Sequence, residues 1–176
     1  MKFQSIKTSE LNAEQISQIL RLKESNWIFG IQSQENWFKQ NAFPDDVHNL
    51  MLVNKEIKGY TFLGNRSLEI SIDSIKTKKS NYFLFSTLIL DKKYRHFINL
   101  SKLMKLNNKI IKKFKKPSFL LCKKEKANMY RYFGWRKLEN TSFSVPDHKN
   151  DLIGFVFNIN DIKFNKEKKI RFFCYK

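Results

Sequence analysis

Residues 82–90 (Tyr-Phe-Leu-Phe-Ser-Thr-Leu-Ile-Leu) are apolar almost throughout, interrupted only by Ser86 and Thr87. A strand that is apolar on both sides has to be covered on both faces of its sheet. Downstream the period changes. Leu100, Leu103, Met104, Ile110, Ile111 and Phe114 recur at helical spacing, which predicts an amphipathic helix over 99–114. Pro117 closes that segment, and 118–122 is a short apolar strand again. A strand, a covering helix and a second strand make a crossover, which forces the two strands parallel. The chain must therefore build an α/β structure around a sheet.

The flanking segments fill in that sheet. Residues 2–6 alternate like a short strand, and Asn12 with Gln15 three residues later has the pattern of a capping box. Ile16, Ile19, Leu20 and Trp27 then predict a helix over 13–25, and 33–40 a second, short helix before Pro44. Residues 49–53, a turn at Asn54-Lys55-Glu56 and 57–63 read as a hairpin. Residues 67–75 (Leu68, Ile70, Ile72, Ile75) are expected to be its partner strand, and 76–81 a solvated loop. A short helix over 124–133 should stop at Gly134. Strands at 135–138 and 152–158 follow, and a basic tail, 160–176, offers one more around Phe172 and Phe173. The expected fold class is α/β (α+β): a mixed, mostly antiparallel central sheet covered by helices on both faces. With 5 Gly and 3 Pro there is no linker, so residues 1–176 are expected to form a single domain.

Composition narrows the partners. No apolar run approaches the length of a membrane span, and the first residues lack the apolar region of an export signal, so a cytoplasmic protein is expected. Cys122 and Cys174 form neither a metal spacing nor a disulfide framework. The 34 Lys and Arg against 16 Asp and Glu leave a net charge of +18, a field that attracts the phosphates of nucleic acid, anionic lipid or a small cofactor. Lysine supplies 28 of those cations and lacks arginine's planar fork, so a generic solvated surface drawn from AT-rich coding sequence accounts for the charge equally well.

The joint between the apolar strand and the long helix reads Leu88-Ile-Leu90-Asp-Lys92-Lys93-Tyr94-Arg95-His-Phe-Ile98-Asn99-Leu100-Ser101-Lys102-Leu103-Met104. It resembles the joint of the GNAT (Gcn5-related) N-acetyltransferases, where a central strand runs into Tyr-Arg-Gly-x-Gly-x-Gly/Ala at a helix start. Leu90, Tyr94, Arg95, Ser101, Lys102, Leu103 and Met104 fall where that family has similar residues. Ile98 and Leu100 stand where it has glycines that let backbone amides cradle a pyrophosphate. The resemblance implies acetyl-CoA, or another acyl-CoA, as cofactor. Its pantetheine amides would lie along the backbone of Leu88 and Leu90, and its phosphates at Arg95, Ile98, Asn99, Leu100, Ser101 and Lys102. A second stretch, Leu120 to Trp135 with Tyr130 and Gly134-Trp135 in register, resembles the family's next strand and short helix. It implies that Tyr130 is the general acid for the departing thiolate, a role that suits a phenol, whose ordinary pKa lies above that of a thiol.

The N-terminal third more loosely resembles the acceptor side of the same family. It implies a small-molecule primary amine, such as an amino sugar, received by Trp27, Trp37, Asp46 and His48, with Asp46 or His48 able to bind or deprotonate it. Glu69 and Asp73 are alternative bases. No metal is implied, since the three histidines make no zinc motif, and a homodimer is compatible with the reading. Two rivals stay open: a catalytically inactive GNAT-like binding module, and a basic protein directed to RNA, including one that acts on charged tRNA.

Overall fold

The computed structural model describes residues 1–72, 76–139, 142–146, 152–159 and 168–174. They fall into two compact units, Met1–Gly64 with Phe85–Ile110, and Asn65–Leu84 with Ile111–Lys176.

The first unit contains β1 (Lys2–Lys7), α1 (Ala13–Glu24), α2 (Ile31–Asn41) and β2 (Val47–Val53). It also takes the opening of β3 (Glu56–Ile72), the end of β4 (Lys76–Leu90), and most of α3 (Phe97–Lys113). The Asn12 side chain accepts the Gln15 amide at 2.8 Å while Gln15 accepts the Asn12 amide at 3.1 Å, so α1 begins at its expected capping box. β2 and β3 pair antiparallel from Val47↔Leu63 to Val53↔Glu56. Asn54 and Lys55 between them both adopt positive φ, as a type I′ turn requires. The strands run in the order β1-β2-β3-β4. Ile19 and Leu22 of α1 pack on Leu50, Ile57, Tyr60, Phe62 and Ile89.

α3 settles on the sheet through Leu103, which packs with Met51 and Leu90. Gly59 permits this approach: a Cβ there would stand 2.7 Å from Leu90 Cδ2, 3.0 Å from Met51 Cβ and 3.3 Å from Leu103 Cδ2. The same helix carries one polar residue in its buried stripe. Asn107 Oδ1 accepts from Thr61 Oγ1 at 2.9 Å and from Asn49 Nδ2 at 3.1 Å, and Asn49 in turn accepts from Ser5 Oγ. Ser5, Asn49 and Thr61 are register partners on three successive strands, so a row of polar side chains crosses the sheet beneath the helix.

The second unit contains the remainder of β3 and β4, then β5 (Ser118–Cys122), α4 (Ala127–Tyr132), β6 (Arg136–Lys137), β7 (Phe143–Ser144), β8 (Ile153–Phe157) and β9 (Lys168–Phe172). β4 and β5 are parallel at Phe83↔Ser118 and Leu84↔Phe119, as the crossover demands. β5 pairs antiparallel with β8, and β8 with β6. β9 lies antiparallel on β3, and β7 parallel on β9. Phe119 and Phe172 stack at 3.9 Å in a core with Leu68, Tyr82 and Val156. The sheet is mixed and mostly antiparallel, flanked among the described residues by four α-helices.

Two expectations are corrected. Residues 67–72 are not a separate strand but the continuation of β3, and 76–81 are strand rather than loop. The C-terminal β9 makes the difference, because it supplies hydrogen-bond partners for Leu68 to Ile72 that local pattern does not reveal. Of the lysines in that stretch, Lys78 and Lys79 are exposed, and Lys79 meets Glu69 of β3 at 3.6 Å. Asp73 and Ile75 lie outside the described residues, as do His148 and Tyr175.

Asn107 Nδ2 is buried with no hydrogen-bond partner, so the junction depends on the carbonyl side of this amide. Asn107→Ala strips Thr61 and Asn49 of that shared acceptor. It is expected to cost about 1–3 kcal/mol, read as a lower urea midpoint with an unchanged m-value.

Candidate functional site

β4 ends at Leu90, and a tight turn delivers the chain to α3. The Asp91 amide donates to the Lys58 carbonyl at 2.9 Å, and the Asp91 carboxylate accepts the Lys93 amide at 3.0 Å. A single 3₁₀ turn, Lys92–Tyr94, follows. The Asn99 side chain is buried and donates to the Tyr94 carbonyl at 3.0 Å, closing the turn from the helix side. The Leu100 amide donates to the His96 carbonyl at 3.1 Å, the first bond of the helical ladder. The amides of Ile98 and Asn99 precede that ladder and belong to the positive end of the helix dipole.

The two aliphatic residues at the expected glycine positions take different paths. Leu100 turns inward against Met51, Leu90 and Leu103. Ile98 is 66% exposed, its side chain in solvent. Arg95 donates to the Asn26 side chain and, at 3.3 Å, to the Leu90 carbonyl. Lys92, Lys93 and Lys102 are exposed, Ser101 and Leu88 half-buried, and Leu90 buried. Within this unit β4 is an edge strand: β3 is its neighbour on one side, and no described strand of the unit pairs with the other.

Of the acceptor residues, Trp37, Asp46 and His48 share one packed region. The Trp37 ring meets Phe62 edge-on at 5.8 Å, and the Lys23 ammonium lies 3.6 Å from the Trp37 centroid. His48 is fully buried, with Nε2 2.8 Å from Thr8 Oγ1 and Nδ1 2.9 Å from Tyr60 Oη. Burial, and secondly the Lys23 charge, lower its pKa to about 4. The Asp46 carboxylate accepts the Phe43 amide at 2.9 Å. Trp27 is 39% exposed at the end of α1. Sequence reading missed Lys23, whose pKa burial lowers to about 8. Its sign was available: Lys23 falls one residue after Leu22 and four after Ile19, on the inner side of α1.

In the second unit Tyr130 lies on α4 with its ring edge-on to Trp135 at 6.3 Å and tilted to Phe155 at 6.0 Å. Gly134 ends the helix at φ +81°, a conformation open to glycine, and the Trp135 amide turns back to the Tyr130 carbonyl at 3.1 Å. Burial, and then the neighbouring Cys122, raise the Tyr130 pKa well above the ordinary value, so the phenol keeps its proton at all working pH. Glu69, the alternative base, pairs instead with Lys79.

No family model matches the sequence, and no curated protein matches it significantly. Solved structures do. Escherichia coli ElaA covers 88% of this chain and 97% of its own at a TM-score of 0.62 and 19% identity. Escherichia coli YhbS, a GNAT family N-acetyltransferase solved with CoA, covers 97% and 88% at 0.63 and 10% identity. An aminoglycoside 6'-N-acetyltransferase complexed with coenzyme A covers 93% and 99% at 0.63 and 12% identity. The chain therefore has the fold of the GNAT N-acetyltransferases, and at these identities the likeness shows the fold alone.

His48 also makes a pH prediction. Its ordinary pKa of 6.5 is lowered to about 4 in the folded protein, so the unfolded chain binds the extra proton between those values. Stability is complete above pH 6.5 and falls as the pH drops toward 4, by about 3 kcal/mol from this group. Urea unfolding across that window should show a steeper loss in the parent protein than in His48→Gln.

Proposed function

We propose that residues 1–176 act as one acyl-CoA-dependent N-acyltransferase domain that moves an acetyl group from acetyl-CoA to the primary amine of a small molecule. One observation carries the reading. At the start of α3, the aliphatic residue that replaces the first expected glycine leaves its side chain in solvent, and the second points into the core. Side-chain bulk therefore does not fill the space over the amides of Ile98 and Asn99. Those amides, with Lys92, Lys93, Arg95 and Lys102 around them, suit a diphosphate. The solved neighbours that hold CoA on the same fold support the cofactor class.

In this reading the edge backbone of Leu88 and Leu90 receives the pantetheine amides as an added strand. The first turn of α3 holds the phosphates, and Ser101 and Lys102 border them. The bound cofactor supplies the thioester, whose C–S bond breaks as the amine nitrogen bonds to the acyl carbon. Tyr130, kept protonated by burial, gives its proton to the departing sulfur. Trp27 and Trp37 line the acceptor end. His48 and Asp46 are held by Thr8, Tyr60 and Phe43, so they shape that end, and the proton lost by the amine leaves through water.

Saturating acetyl-CoA is expected to raise the melting temperature by on the order of 5–10 °C, the shift for ligand at about a hundred times its Kd on a chain of this size. Tyr130→Phe should keep that shift while lowering kcat about 10²- to 10⁴-fold in an assay of amine acetylation. An unchanged melting temperature would assign the fold to a binding module instead.

A further inference from the structure

Six of the nine exposed large hydrophobic side chains among the described residues lie on two segments of the first unit. Between α1 and α2, Ile28 is 88%, Phe29 71%, Ile31 46% and Trp27 39% exposed. At the start of α3, Phe97 is 58% and Ile98 66% exposed. The Arg95–Asn26 hydrogen bond ties these two segments together.

The α1–α2 connection is not loose chain. The Glu24 carboxylate accepts the Gly30 amide at 3.0 Å and the Phe29 amide at 3.3 Å. The Trp27 amide donates to the Lys23 carbonyl at 2.8 Å, and Gln34 Nε2 donates to the Trp27 carbonyl at 3.1 Å. The polar backbone of the protrusion is thus largely satisfied from within, while its large apolar side chains point out. A loop bonded in this way loses few backbone hydrogen bonds on entering a medium poor in hydrogen-bond partners.

Charge identifies the medium. Lys92, Lys93 and Arg95 are exposed in the turn just before Phe97, and the chain as a whole carries +18. Apolar side chains bordered by cations fit the headgroup–acyl boundary of an anionic bilayer. A second copy of this chain fits worse, because a symmetric contact would set like-charged turns against each other. Single-stranded RNA fits worse as well. It is gripped by stacking on aromatic faces, and half of these side chains, Ile28, Ile31 and Ile98, have none.

We propose that the Trp27–Ile31 connection, together with the α3 start, is a peripheral anchor that docks the protein on anionic lipid. The anchor does not depend on acyl transfer, and its deciding variants, at Ile28 and Phe29, lie outside the proposed cofactor and acceptor groups. The full chain is sedimented with vesicles of phosphatidylglycerol and phosphatidylcholine in equal parts, and with vesicles of phosphatidylcholine alone.

The expected result is binding to the anionic vesicles and little to the neutral ones. The pair Ile28→Ser and Phe29→Ser should lower that partition by about tenfold or more, with an unchanged melting curve. Lys92→Glu and Lys93→Glu should each lower it about fivefold. Absence of binding to anionic vesicles overturns the proposal, and so does binding that survives the Ile28/Phe29 pair. A dimer on gel filtration that the same pair dissociates, without vesicle binding, assigns the surface to a second copy. Salt-sensitive RNA capture lost in the same pair, again without vesicle binding, assigns it to nucleic acid.

Discussion

The long helix α3 is held on its sheet by a polar contact in an otherwise apolar joint. Asn107 lies on the same stripe as Leu103, Ile110 and Ile111, where a hydrocarbon side chain would pack more cheaply. Its carbonyl is shared by Thr61 and Asn49, which, with Ser5, form a row across three adjacent strands. Hydrophobic burial is non-directional and would tolerate a helix slid by a turn; two hydrogen bonds at fixed points would not. Gly59 adds a steric condition, since it alone lets Leu90 and Leu103 close over β3 at that depth. These contacts fix where the helix begins, and its beginning is where the proposed chemistry lies.

In the proposed reading, that beginning answers a problem posed by its own sequence. Glycines at a phosphate-binding turn remove side chains that would crowd the ligand. Here the turn is tightened by Asp91 and Asn99, with Leu100 spent on the core and Ile98 left in water. Backbone amides can be uncovered by orienting side chains as well as by deleting them. A side chain left in water is also available for other contacts, and Ile98 is part of the apolar surface assigned above to lipid.

Much of this was legible in the sequence, because the informative signals were local. The capping box at Asn12 and Gln15, the turn at Asn54 and Lys55, and the stop at Gly134 each depend on a few adjacent residues and fall where expected. The crossover from β4 to β5 follows from periodicity and handedness, and the strands are parallel as required. Signals depending on distant chain were not legible. Nothing near 76–81 announces that β9, almost a hundred residues later, completes the sheet beside β3. Likewise nothing near His48 announces that Thr8 and Tyr60 will engage both ring nitrogens, or that burial and the Lys23 charge will drive its pKa down.

The sequence by itself determined the N-terminal helices and first hairpin, the parallel crossover, and the turn–helix joint that resembles an acyl-CoA site, since each is written in spacing over one or two turns. Only the tertiary structure decided what individual side chains face. It turned Leu100 inward and Ile98 outward, buried the imidazole that looked like a base, and joined two separate apolar segments through Arg95 and Asn26. Orientation of that kind is set by contacts between residues far apart in the chain, and a linear pattern carries no record of them.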